Sequence, residues 1–214
     1  MTAPFDLEET DRLLSTTRAV RRRLDLDRTV ERELILDCIR LSQQAPTASN
    51  TQKWRWMVVM DADKRKALGE IYGRGKQFIT QAREQLDADD SQTQRVYDSA
   101  EWLLDHIGEV PALVIPCLEG RIPDGAPNGM AAAVYGSIYP AMWSFQLALR
   151  SRGLGSTLTT IHLFFEKEVA ALLEMPDDVM QVALLPVAYT KGTDFKIAKR
   201  PSPEEITSFD TWTT

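Results

Sequence analysis

The sequence predicts an α+β fold in which a central sheet is flanked by long helices. Three observations predict it. Several segments repeat apolar residues at helical spacing, as in Val30, Leu34, Cys38 and Leu41. Short β-rich or near-continuously apolar runs stand between them, at Trp54–Met60, Ala112–Cys117 and Gln181–Tyr189. The chain has 214 residues, 43% of them hydrophobic, which suits one domain with a substantial core.

The elements follow in order. Residues 6–16 form a short leading helix, and residues 25–29 a polar connection. The helix carrying Val30 to Leu41 is ended by Pro46. Pro46 to Gln52 is a loop of small polar residues before the first strand. A helix begins at residues 61–63 and runs to about Leu86, and a second covers residues 89–107. Ala112–Cys117 is a buried strand. Residues 119–129 hold three glycines and two prolines, so they form a loop. Ala131 to Arg152 is the longest apolar helix; Pro140 lies inside it and predicts a kink or a break. Gly153 is placed to stop that helix in a left-handed conformation. Ser156–Ile161 is either a strand or an extended loop. Glu166–Glu174 is a helix, and Gln181–Tyr189 the last strand. Several helices are apolar over most of their surface, which fits an obligate dimer whose interface belongs to the core. The tail from Lys191 is polar but ends in Phe209 and Trp212, and packing on a partner subunit would hide both.

Composition narrows the function. The net charge of -6 argues against a general nucleic-acid binder, because phosphate backbones call for clustered cations. The N-terminus lacks a basic-then-apolar leader, and no apolar run approaches the ~20 residues needed to span a bilayer. A cytoplasmic protein is expected. Cys38 and Cys117 form no CxxC and read as buried free thiols. There is no GxSxG elbow, no GxGxxG after a strand and no GxxxxGK[ST]. Gly73-Arg74-Gly75-Lys76 is glycine-rich only in passing. His106 and His162 lack HExxH spacing. His106 ends a helix, where a cation suits the dipole; His162 lies beside a Thr-rich segment and could line a pocket. A chain this poor in catalytic side chains suggests that a cofactor does the chemistry.

Four segments could hold one. Arg18 to Arg23 has four arginines in six residues. It reads as a solvated charge run, a nucleic-acid patch, or an anion site in which planar guanidinium forks bind a phosphate. Pro46 to Gln52 has small residues that would admit a flat ring. Its Asn50 and Gln52 offer both donors and acceptors, although a simple helix-to-strand loop would look the same. Ser156, Thr157, Leu158, Thr159 and Thr160 could meet a ring edge with hydroxyls and N–H groups, or be ordinary β-segment. Lys199-Arg200 is a basic pair in a polar tail.

In this order the segments resemble the nitroreductase family of FMN-dependent oxidoreductases. Thr17-Arg18-Ala19-Val20-Arg21 is similar to its Arg-Arg-Ser-x-Arg motif. Ala45-Pro46-Thr47-Ala48-Ser49-Asn50-Thr51-Gln52-Lys53-Trp54 is similar to Ala-Pro-Ser-x-x-Asn-x-Gln-Pro-Trp. Gly153-Leu154-Gly155-Ser156 and the basic Lys199-Arg200-Pro201 follow in place, so the likeness covers about residues 10–205. It implies a mostly antiparallel sheet and a single domain, residues 1–214. It also implies an intertwined homodimer, whose arm from about residue 191 packs on the partner. Two FMN sites would lie at the interface. Arg18, Arg21 and Arg200, with Lys199 beside them, would hold the phosphate, and Ala19 would contribute its backbone. Pro46, Thr47, Asn50 and Gln52 would line the ribityl chain and ring. Ser156 to Thr160 would approach the ring from the other subunit. NADH or NADPH would reduce the flavin, which would pass electrons to a small acceptor such as a nitroaromatic, quinone or enone. Residues 65–107 and 119–130 would choose that acceptor. A non-catalytic FMN-binding or storage protein is the alternative on the same scaffold. Thr17 and Ala19 depart from the motif; a lost hydroxyl bond at position 19 removes about 1 kcal/mol.

Overall fold

The computed structural model describes residues 4–84 and 91–212. Its helices are α1 (Leu7–Thr16), α2 (Arg32–Ser42), α3 (Ala62–Gly73), α4 (Lys76–Glu84), α5 (Ser91–His106), α6 (Asn128–Gly136), α7 (Tyr139–Ser151) and α8 (Glu166–Leu172). The strands are β1 (Trp54–Val59), β2 (Ala112–Glu119), β3 (Leu154–Ser156), β4 (Val179–Gln181) and β5 (Leu185–Tyr189). They pair in the order β1-β2-β5-β3, with β4 also on β2. Every one of these pairings is antiparallel.

Strand β2 organises the core because its side chains alternate between two helical layers. Leu113, Ile115 and Cys117 face a cluster built with Leu68 and Tyr72 of α3, Leu103 of α5 and Val169 of α8. Ala112 and Val114 face the opposite layer, with Ile35 and Cys38 of α2 and Phe145 and Leu149 of α7. Both cysteines are buried and free, and burial pushes their thiols up to about 11 for Cys38 and about 12 for Cys117. His106 ends α5 with Nδ1 2.7 Å from the carbonyl of Trp102, its ring stacked on that residue.

Three expected elements are divided. The helix expected from residue 61 to Leu86 ends at Gly73, and α4 starts at Lys76. Its expected end, Leu86, and the expected start of the next helix at residue 89 lie outside the described residues. The break falls where Ile161 crosses: a Cβ on Gly75 would stand 2.1 Å from Ile161 Cγ2. Gly75 therefore serves packing. The helix expected over 131–152 is α6 plus α7. It starts at Asn128, inside the expected loop, and breaks before Pro140, which occupies the first turn of α7, where its missing N–H costs nothing. Gly153 then ends α7 at φ +78°. The last strand divides into β4 and β5. Gln181 pairs with Cys117 but Leu185 with Val114, so four steps on one strand match three on the other. That extra residue is a β-bulge. Across it Leu184 turns to Thr159, with N–H···O bonds of 2.8 and 3.0 Å.

Beyond β5 the chain is irregular to residue 212, apart from a 3-10 turn at Pro203–Ile206. Phe209 and Trp212 are 82% and 87% exposed. Among the described residues no helix is long and apolar enough to cross a membrane.

Candidate functional site

Residues 18–23 run beside β3. Val20 N–H donates to the carbonyl of Ser156 at 2.9 Å, and Ala19 forms a parallel bridge with Ser156. Val20 packs so closely that a Cβ on Gly155 would meet its Cβ at 2.9 Å. The arginines then diverge. Arg18 donates to the carbonyl of Lys196. Arg23 donates to the carbonyl of Lys191 and pairs with Asp194. Arg150, from α7, donates to the carbonyl of Thr193. Phe195 sits between the guanidinium groups of Arg23 and Arg150, at 4.2 and 4.7 Å. Much of the arginine run therefore clasps the root of the arm, four residues before the exposed Arg200. Arg200 itself donates to the carbonyl of Lys199.

Arg21 turns the other way, toward α5, and donates to Ser99 Oγ at 3.1 Å. Arg22 donates to the carbonyl of Asp98. Burial holds the Arg21 guanidinium below its ordinary pKa. Among the described residues neither Arg18 nor Arg21 has a carboxylate within ion-pair distance. A half-buried cation without a counter-charge is a natural seat for an anionic ligand.

The loop from Pro46 to Gln52 is strained. Ser49, Asn50 and Gln52 take φ of 51°, 53° and 47°, a region that favours glycine. Local bonds hold them there. Gln52 N–H donates to Thr47 Oγ1 at 3.2 Å, and Gln52 Nε2 to Asn50 Oδ1 at 2.8 Å. Ser137, between α6 and α7, closes the loop from outside. Its Oγ accepts from Ala48 N–H at 2.9 Å and donates to the Ala133 carbonyl. Its own carbonyl accepts Trp54 Nε1 at 2.6 Å. Pro46, Asn50 and Gln52 are exposed and Thr47 is half-buried. The loop borders a cleft of about 490 Å³, whose lining includes Ser49, Lys53, Gly120, Met130 and Val134. Strain held by satisfied hydrogen bonds is common where a ligand is clamped.

Residues 156–160 alternate. Ser156 Oγ accepts from Gln146 Nε2 of α7 at 3.1 Å. Thr157 is 1% exposed, Leu158 is 40% exposed and Thr160 is exposed. Thr159 meets the Tyr72 hydroxyl of α3 at 2.7 Å. Only part of the segment therefore presents side chains outward. His162 lines none of the described clefts. It is fully buried, both ring nitrogens lack a partner among the described residues, and burial pulls its pKa down to about 4 against a weaker pull upward from Glu166. Tyr72 and Ser99 belong to no motif read in the sequence. Each owes its role to a partner far along the chain, which no local pattern signals.

Within one chain these segments do not converge. Ser156 pairs with Val187, which pairs with Ala112, whereas Trp54 pairs with Leu118. The two ends are three strand spacings apart, roughly 14 Å sideways, and roughly 20 Å apart along β2. Residues 18–21 lie one chain further out.

The Nitroreductase family model matches residues 14–189. The chain belongs to the nitroreductase family. Iodotyrosine deiodinase of Thermotoga neapolitana is 25% identical over 183 residues, 84% of this chain and 87% of that protein. A structure of oxidized iodotyrosine deiodinase bound to FMN and 3-iodo-L-tyrosine superposes with TM-score 0.69. It is 25% identical and covers 94% of this chain and 98% of its own. The FMN-dependent nitroreductase NfnB of Mycobacterium smegmatis, in complex with NADPH, superposes with TM-score 0.68 at 20% identity. It covers 96% of this chain and 100% of its own.

Proposed function

We propose that this nitroreductase-family chain is an FMN-dependent oxidoreductase that works as a homodimer. It takes electrons from NADH or NADPH and passes them to a small organic acceptor such as a nitroaromatic, a quinone or an enone. One observation carries the reading: the cofactor segments stand at opposite ends of one sheet. Two copies related by a two-fold axis bring the 46–52 loop of each against residues 18–21 and 156–160 of the other. Surfaces for that contact are open. Met130, Tyr135, Tyr139 and Trp143 make an exposed apolar face on α6 and α7. Strand β1 ends the sheet beside a cleft lined by Ile35, Leu36, Ile39 and Trp56, where the partner's arm can pack Ile206, Phe209 and Trp212.

The residues present fit FMN. Arg21, half-buried and without an acidic partner among the described residues, suits its phosphate, and Arg18 and the arm bring Lys199 and Arg200 to the same side. Asn50 and Gln52 present an amide pair suited to the alternating C=O and N–H edge of the ring. Leu158 offers apolar surface that excludes water. Bound FMN would supply the redox chemistry, and the chain would bind, orient and shield it. Helix α4 stacks Phe78 on Phe164, in the turn that follows the Thr-rich segment, with centroids 4.1 Å apart, and acceptor contacts are placed beside it.

Complementation tests the reading. The purified protein should absorb near ~450 nm and bleach with a nicotinamide donor. Arg21→Ala and Asn50→Ala, made separately, should each lose FMN. Co-expressed, they form mixed dimers with one intact site, so about a quarter of all sites should regain FMN. No recovery would refute the shared site. FMN that neither nicotinamide reduces would favour a storage protein.

A further inference from the structure

Tyr72 and Thr159 come from separate parts of the chain and meet through their hydroxyls. Tyr72 lies in the last turn of α3, one turn after Leu68, and both are buried against the sheet. Its hydroxyl is 2.7 Å from Thr159 Oγ1. Burial raises the phenol's pKa, and the hydrogen bond with Thr159, followed by the Arg21 charge, works against that rise. Either hydroxyl of the Tyr72–Thr159 pair can donate to the other. The main chain of Thr159 is held as well, by bonds of 3.0 and 2.8 Å to Leu184. Thr159 is thereby held toward α3, while Leu158 and Thr160 on either side of it are exposed.

We propose that Tyr72 is a positioning residue for the cofactor. It locks Thr159 to α3 and so sets how Leu158 and Thr160 face the flavin ring. The proposal rests on the FMN reading above. A hydroxyl with only a structural role would change the stability of the apoprotein and leave its affinity for FMN alone. A positioning role moves the affinity, and moves it through Thr159.

The experiment titrates FMN into the apoproteins of wild type, Tyr72→Phe, Thr159→Val and the double variant, following the quenching of FMN fluorescence. Urea unfolding of each apoprotein runs in parallel. Each single variant should bind FMN about tenfold more weakly, the loss of one hydrogen bond. The double variant should bind no more weakly than either single, because all three break the same bond. The visible band of the bound flavin should shift alike in the three. Unchanged affinity in Tyr72→Phe with only lower stability would overturn the proposal, as would additive losses in the double variant. Should Tyr72→Phe fail to fold, Thr159→Val decides alone, and unchanged affinity overturns it. A wild-type chain that takes up no FMN refutes the functional reading itself, whereas wild type and variants that bind equally refute only the role of Tyr72.

Discussion

The two ends of the sheet that would share a cofactor are built by opposite means. The 46–52 loop stores backbone strain and satisfies its polar groups: Ser137 and Thr47 accept from the main-chain N–H groups of Ala48 and Gln52, and Asn50 accepts from the Gln52 side-chain amide. The β3 end has relaxed backbone and carries polarity that the fold does not answer. Among the described residues, Arg21 is half-buried without an acid, and His162 is fully buried with both nitrogens unpartnered. One end is preorganised by geometry. The other holds a charge and a ring that cost stability until something meets them. Mutations should separate the two.

The largest expected effect is at His162. Its pKa is about 4 in the folded chain against an ordinary 6.5. Between those values the unfolded state binds the proton and the folded state refuses it, so stability rises with pH across that window. Above pH 6.5 the residue is neutral in both states and contributes no slope. Lowering pH from 7.5 to 5 should cost about 2 kcal/mol through this group, and full descent to pH 4 about 3 kcal/mol. Urea unfolding of wild type and His162→Leu at pH 7.5 and pH 5 measures it. The variant should lose most of the pH dependence; an unchanged slope would place the sensitivity elsewhere. The strained loop has no ionisable group within residues 46–52, so of the two ends only the β3 end is sensitive to acid in this way.

Next comes a matched pair. Ser137→Ala removes the acceptor for Ala48 N–H and should lower apoprotein stability by about 1–2 kcal/mol. Arg21→Met removes a desolvated cation, so the apoprotein should be as stable as wild type or more so, while FMN affinity falls. Thermal unfolding without FMN, then FMN titration, reads both. If Arg21→Met destabilises the apoprotein as Ser137→Ala does, the cation is structural and the contrast between the ends fails.

How much of this could be read in the sequence follows from the same contrast. The helix break at Pro140 and the left-handed Gly153 were legible, because both residues act on their own backbone. The break at Gly73–Gly75 was not, since Ile161 imposes it from a distant part of the chain. Nor was the bulge between β4 and β5, because a near-continuous apolar run conceals its register. At the site, the chemistry of Arg18, Arg21, Asn50 and Gln52 could be named, but not their directions. Nothing in four arginines out of six says that Arg18 and Arg23 grip arm carbonyls while Arg21 points to Ser99.

The smallest expected effect tests whether the loop's strain serves binding. Ser49 sits at φ 51°, ψ 26°, where a side chain costs energy that glycine escapes. Ser49→Gly removes that cost but gives the unfolded chain more freedom, so the net gain should be small, within about 1 kcal/mol. FMN affinity should fall even so, because the freed loop must be ordered again on binding. Stability by urea unfolding and affinity by FMN titration should therefore move in opposite directions. If affinity is unchanged, the hydrogen bonds around Thr47, Asn50 and Gln52 fix the loop without help from strain. The two ends of the sheet would then differ only in their unanswered polarity.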